Sequence, residues 1–108
     1  MTEQELFDKV SNHLLKQNKH SMDSDKSCKY RGNGGRMCAI GVLIPDELYH
    51  PWMDSGCTLM RITEIIDLRE HYELCCRLQD IHDFDGPAEW PAELADLAEE
   101  FGLKYEHE

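Results

Sequence analysis

No short motif in this chain names a chemistry by itself. Its cysteines contain no Cys-x-x-Cys pair, so neither a disulfide framework nor a zinc ribbon is signalled. Gly-x-Ser-x-Gly is absent. No apolar run reaches the length that spans a bilayer, and the start Met1-Thr2-Glu3-Gln4-Glu5 lacks the basic residues and apolar stretch of a signal peptide. A cytoplasmic protein with no membrane contact is therefore expected. Neither an internal repeat nor an interdomain linker interrupts the 108 residues, which predict a single domain over 1–108 with one modest core.

Positive charge is scarce in one part of the chain. Up to Met37 there are seven Lys/Arg against five Asp/Glu, and from Cys38 onward four against seventeen, for a net charge of -11. A field of that sign repels phosphate backbones, which argues against direct nucleic-acid binding. It suits a basic partner surface, although solvated acidic faces that keep a small protein soluble give the same composition.

The hydrophobic fraction of 41% is that of a folded globule. Five cysteines, Cys28, Cys38, Cys57, Cys75 and Cys76, make an odd set, read as small core residues in a reducing cell. A zinc site from Cys28, Cys38 and Cys57 with a histidine is the alternative, but the spacing matches no usual ligand pattern. No metal and no cofactor are expected.

The apolar spacing predicts a mainly α fold, α+β at most: a compact helical bundle with a small β-hairpin near residues 28–38. Thr2-Glu3-Gln4-Glu5 is a capping box, and Leu6, Phe7, Val10, Leu14 and Leu15 carry a helix from near Glu3 to Asn18. Cys28 to Arg31 and Arg36 to Cys38 flank Gly32-Asn33-Gly34-Gly35, a turn that suits a hairpin. The apolar run Ala39 to Ile44 reads as a short buried helix, Pro45 opens a further turn, and a loop carries Trp52. Helices are predicted from near Thr58 to Ile66, from about Asp67 to His82, and from near Pro91, with a left-handed cap at Gly102-Leu103.

Two clusters are candidate sites. Arg31 and Arg36 flank Gly34 and Gly35 in a loop whose amides can converge on an anion, a phosphate or a partner carboxylate; it lacks the strand and the Lys-Ser/Thr ending of a P-loop, and a turn with solvated arginines is the plainer reading. His82 and Asp83 lie in Asp80-Ile81-His82-Asp83-Phe84-Asp85-Gly86, which fails the calcium-loop frame because Gly86 at the loop glycine puts Ile81 at the first ligand position. There the plainer reading is a helix end at which His82 meets the dipole and the aspartates cap the next segment. No catalytic residue is assigned.

Cys28-x-Tyr30-Arg31-Gly32, Gly35, Cys38-Ala39-Ile40-Gly41-x-Leu43-Ile44-Pro45-Asp46-x-x-Tyr49, Leu78-Gln79-x-x-His82-Asp83 and Trp90 together resemble a group of short uncharacterised proteins of bacteria and their phages. The resemblance runs over nearly the whole chain and carries no activity. It implies a small cytosolic protein of phage or prophage origin. Two functions are expected. The first is an acidic interaction protein that binds a basic surface of a host or defence protein through C-terminal helices, with Asp96, Glu99 and Glu100 on the exposed face. The alternative is a small-ligand or metal-dependent enzyme around Arg31, Arg36, His82 and Asp83, which requires those groups to converge.

Overall fold

The structure, a computed structural model, describes residues 1–22, 29–55 and 57–106. Along them run four α-helices: α1 (Glu3–Gln17), α2 (Leu59–Ile65), α3 (Tyr72–Phe84) and α4 (Trp90–Glu100). Single 3-10 turns at Asn33–Gly35, Gly41–Leu43, Asp46–Leu48, Pro51–Asp54 and Arg69–His71 fill most of the connections. The mainly helical expectation holds.

Helix α1 begins as its capping box dictates. Thr2 Oγ1 accepts from the Glu5 amide at 3.1 Å, and the Glu5 carboxylate accepts from the Thr2 amide at 2.8 Å; these bonds hold the Glu5 carboxyl below its usual range. Its face of Leu6, Phe7, Val10 and Leu14 is buried against α3 and α4, which also pack on each other, and α2 packs on α3. Leu74, Leu78 and Ile81 of α3 meet Trp90, Leu94 and Leu97 of α4 in the same cluster. Each such side chain, fully buried, contributes about 1.5–3 kcal/mol. The radius of gyration is 13.0 Å, the value of about 13 Å that a compact chain of this length should have.

Helix ends account for two of the boundaries. After α4, Gly102 takes φ +68° and the amides of Gly102 and Leu103 bond to Glu99 O and Ala98 O at 3.2 and 2.7 Å, the left-handed cap expected there. Helix α2 ends the same way on Asp67, φ +58°, with Leu68 N bonded to Thr63 O at 2.8 Å. The helix predicted from Asp67 is therefore corrected: Asp67 closes α2, the turn Arg69–His71 intervenes, and α3 starts at Tyr72.

The hairpin is a second correction. Among the described residues there is no strand, only an isolated antiparallel bridge between Arg31 and Met37, flanked by Gly32 N to Arg36 O at 2.9 Å and Cys38 N to Tyr30 O at 3.4 Å. Side chains take the Tyr30 amide, which would extend the ladder to Cys38 O, and the outward-facing groups of Arg31 and Met37. The amides of Tyr30 and Arg31 go to Asp54, while Met37 gives its amide to Gln17 Oε1 and its carbonyl receives Gln17 Nε2 and His13 Nε2. Cys28, the expected start of the hairpin, lies outside the described residues. The buried helix expected over 39–44 is reduced to the turn Gly41–Leu43, where the backbone runs so close to Tyr30 that a Cβ on Gly41 would overlap the Tyr30 carbonyl oxygen and lie 2.9 Å from its carbon.

Candidate functional site

The arginines of the glycine loop have different fates. Arg31 donates from Nη2 to Ile44 O at 2.7 Å and from Nη1 to Asp46 Oδ1 at 2.9 Å, and its guanidinium carbon lies 4.9 Å from the centre of the Tyr49 ring. Tyr49 in turn donates its hydroxyl to Asp54 at 2.6 Å, and the same carboxylate accepts the Tyr30 and Arg31 amides at 2.7 and 3.3 Å. Burial first, and then that bond to Asp54, push the Tyr49 phenol up to about 12. Asp54 thus gathers the Tyr30 and Arg31 amides and the Tyr49 hydroxyl, and Arg31 is engaged in folding, with its buried Nε left without a hydrogen-bond partner among the described residues.

Arg36 accepts at its carbonyl from Gly32 N and from Ser21 Oγ at 3.2 Å, while its guanidinium has no partner among the described residues. Gly34 and Gly35 sit exposed at the turn with φ +70° and +75°. Two free arginines around a glycine cradle are therefore not assembled.

His82 is completely buried. The Ser21 amide donates to its Nε2 at 2.9 Å, so Nε2 carries a lone pair, and Nδ1 carries the proton that goes to Asp83 Oδ1 at 2.7 Å. The ring is thus held by Ser21 and Asp83 rather than by the helix dipole expected to meet it. Its ring stacks on Trp90 at 5.7 Å between centroids, and His20 meets both rings edge-on. Trp90 Nε1 and His20 Nε2 close the end of α3 by donating to Asp85 O at 3.0 and 2.8 Å. Ser21 also receives Lys29 N at its carbonyl, so His82 holds the segment after α1 and, through it, the glycine loop. The aspartates do not cap α4, whose start has no side-chain cap; Asp83 instead accepts from His82 and from Gln79 Nε2.

Asp83 also faces a cavity of about 220 Å³ lined by Lys29, Tyr30, Cys38, Asp54, Cys57 and Gln79 among others, but not by Arg31, Arg36 or His82. The four groups of the enzyme reading do not share it. Cys38 and Cys57 both line it, while Cys28 lies outside the described residues. Burial pushes the Cys38 thiol up to about 12, and the Gly41 amide donates to its sulfur at 3.2 Å. Among the described residues no three His, Cys, Asp or Glu are grouped to hold a metal, and no helix is long and apolar enough to cross a membrane.

The acidic face has a different character. Asp96, Glu99 and Glu100 lie away from the buried stripe of Leu94, Leu97 and Ala98, and all three are exposed. A groove of about 210 Å³ between α3 and α4 is lined by Asp80, Asp85, Glu93, Asp96 and Glu100, with Arg77, Ile81, Phe84 and Leu97. Glu99 lies outside it. Glu100 is bound in a bidentate pair by Arg77, at 2.8 and 2.6 Å, which holds the Glu100 carboxyl below its usual range. At the end of α3, Phe84 is 82% exposed.

Sequence spacing alone did not single out Phe84, Arg77 or Asp54. Phe84 had a readable signal: it falls seven residues after Arg77 and four after Asp80, on the charged face of α3 rather than on the stripe of Leu74, Leu78 and Ile81. Asp54 had none, because its three donors lie 5 to 24 residues away. No protein-family model, curated protein or solved structure matches this chain.

Proposed function

We propose that this protein is a small acidic interaction protein that binds a basic surface of another protein through the face built by α3 and α4. The observation that carries the reading is Phe84, 82% exposed on the rim of a groove with five carboxylates and one guanidinium. A large aromatic left in water beside concentrated charge of one sign is the pairing that interfaces use, an apolar anchor for affinity and complementary charge for encounter. The resemblance to bacterial and phage proteins makes a host or defence protein the expected partner. The same acidic face disfavours nucleic acid directly.

The test is affinity capture from bacterial lysate with the unaltered protein, with Glu93→Lys/Asp96→Lys, and with Phe84→Ala. A specific protein should be retained by the first and lost with the double reversal. It should also elute as ionic strength rises from about 0.1 M to about 1 M, where screening shortens from about 10 Å to about 3 Å. Retention of the same protein by all three, at both salt concentrations, would overturn the reading.

A further inference from the structure

The groove already contains one occupied ion-pair position, and its geometry says what chemistry fits there. Glu100 presents both carboxylate oxygens to two parallel N–H groups of Arg77, at 2.8 and 2.6 Å. That fork-to-fork match is available to a planar guanidinium and not to an ammonium, which is a point donor. Both side chains stand largely in water, at 43% and 53% exposure, so the pair contributes little to folding and opens at small cost. The other four carboxylates of the groove, Asp80, Asp85, Glu93 and Asp96, have no ion-pair partner among the described residues. Phe84 supplies an apolar and aromatic wall beside them.

Resting on the reading above, we propose that the partner inserts an arginine next to an apolar side chain, and that Arg77 is the intramolecular occupant of that arginine's subsite at Glu100. The incoming guanidinium takes over the two oxygens of Glu100 while Arg77 swings into solvent, and the neighbouring apolar side chain packs on Phe84. Arg77 then competes with the partner in two ways, by covering Glu100 and by placing a like charge in the groove. Removing it should strengthen binding, the reverse of what an ordinary contact residue does.

The probe is a hexapeptide of alternating leucine and arginine, capped at both ends, compared with its leucine and lysine counterpart, each titrated into the isotopically labelled full chain and followed by amide shifts. The arginine peptide should shift amides along α3 and α4 and bind severalfold tighter than the lysine peptide. Arg77→Gln should tighten the arginine peptide by about two- to fivefold, the range open to an exposed pair, with an unchanged melting temperature. Glu100→Gln should erase the preference for arginine. If both peptides bind this face equally, Arg77→Gln favours neither, and Glu93→Lys/Asp96→Lys still abolishes binding, the arginine subsite is wrong while the basic-partner face stands. Shifts that avoid α3 and α4, or that survive the double reversal, would remove both.

Discussion

Replacing His82 by leucine separates a histidine kept for folding from one kept for chemistry. The imidazole is fully buried, accepts the Ser21 amide at 2.9 Å, donates to Asp83 at 2.7 Å and stacks on Trp90. Leucine fills nearly the same volume, so the loss is polar. The Ser21 amide would be buried without an acceptor, about 1–3 kcal/mol. Asp83 is partly exposed and recovers water in place of its donor, which leaves that loss near about 1 kcal/mol. The ring contacts add about 0.5–1.5 kcal/mol, partly offset by the apolar gain of leucine. His82→Leu should therefore cost roughly 2–4 kcal/mol, a large share of the roughly 5–15 kcal/mol by which such domains are stable. The measurement is equilibrium unfolding in urea, where the midpoint should fall by roughly 1–2 M with an unchanged slope. Hydrogen exchange should at the same time open residues 20–22 and 29–37, the segment that Ser21 ties down. Asp83→Asn keeps an acceptor for both the imidazole and Gln79 and should cost less than about 1 kcal/mol. A His82→Leu protein within about 0.5 kcal/mol of the parent, or an Asp83→Asn loss as large as that of His82→Leu, would refute the structural account and make the pair a candidate for chemistry again.

Gly41→Ala should destabilise by at least about 3 kcal/mol, because the new methyl meets Tyr30 backbone, which cannot move aside as a side chain would; a melting temperature within a few degrees of the parent would contradict the close approach. Tyr49 predicts an alkaline limit. Its phenol is raised in the folded state from 10.0 to about 12, so the folded chain holds this proton more tightly than the unfolded chain. The contribution is complete below pH 10 and disappears as the pH rises through about 12. Tyr49→Phe should flatten the fall in stability over that window without abolishing it, because burial pushes the Tyr30 phenol up still further and its loss on unfolding adds a slope of its own; identical slopes for parent and variant would overturn the assignment.

What the amino-acid sequence decided by itself is whatever depends on neighbours within about one helical turn. The capping box at Thr2, the buried stripe of α1, the outward side of α4 that carries Glu99 and Glu100, and the glycine cap at Gly102 are all set by side chains three or four positions apart. The break after α2 was hidden because Asp67 adopts a left-handed conformation that glycine or asparagine usually announces. The hairpin failed for a tertiary reason: Asp54 reaches in from another part of the chain and takes the Tyr30 amide that would extend the ladder to Cys38 O, while Gln17 binds the outward-facing amide and carbonyl of Met37. The candidate sites divide the same way. Arg31 and His82 stand out in sequence as reactive types, and only the folded chain shows that one is bound by Ile44 and Asp46 and the other by Ser21, so that both are held in the scaffold. Conversely, five carboxylates, Arg77 and Phe84 become one groove only when α4 packs along α3, because a surface is made of residues distant in sequence and brought side by side by the core beneath them.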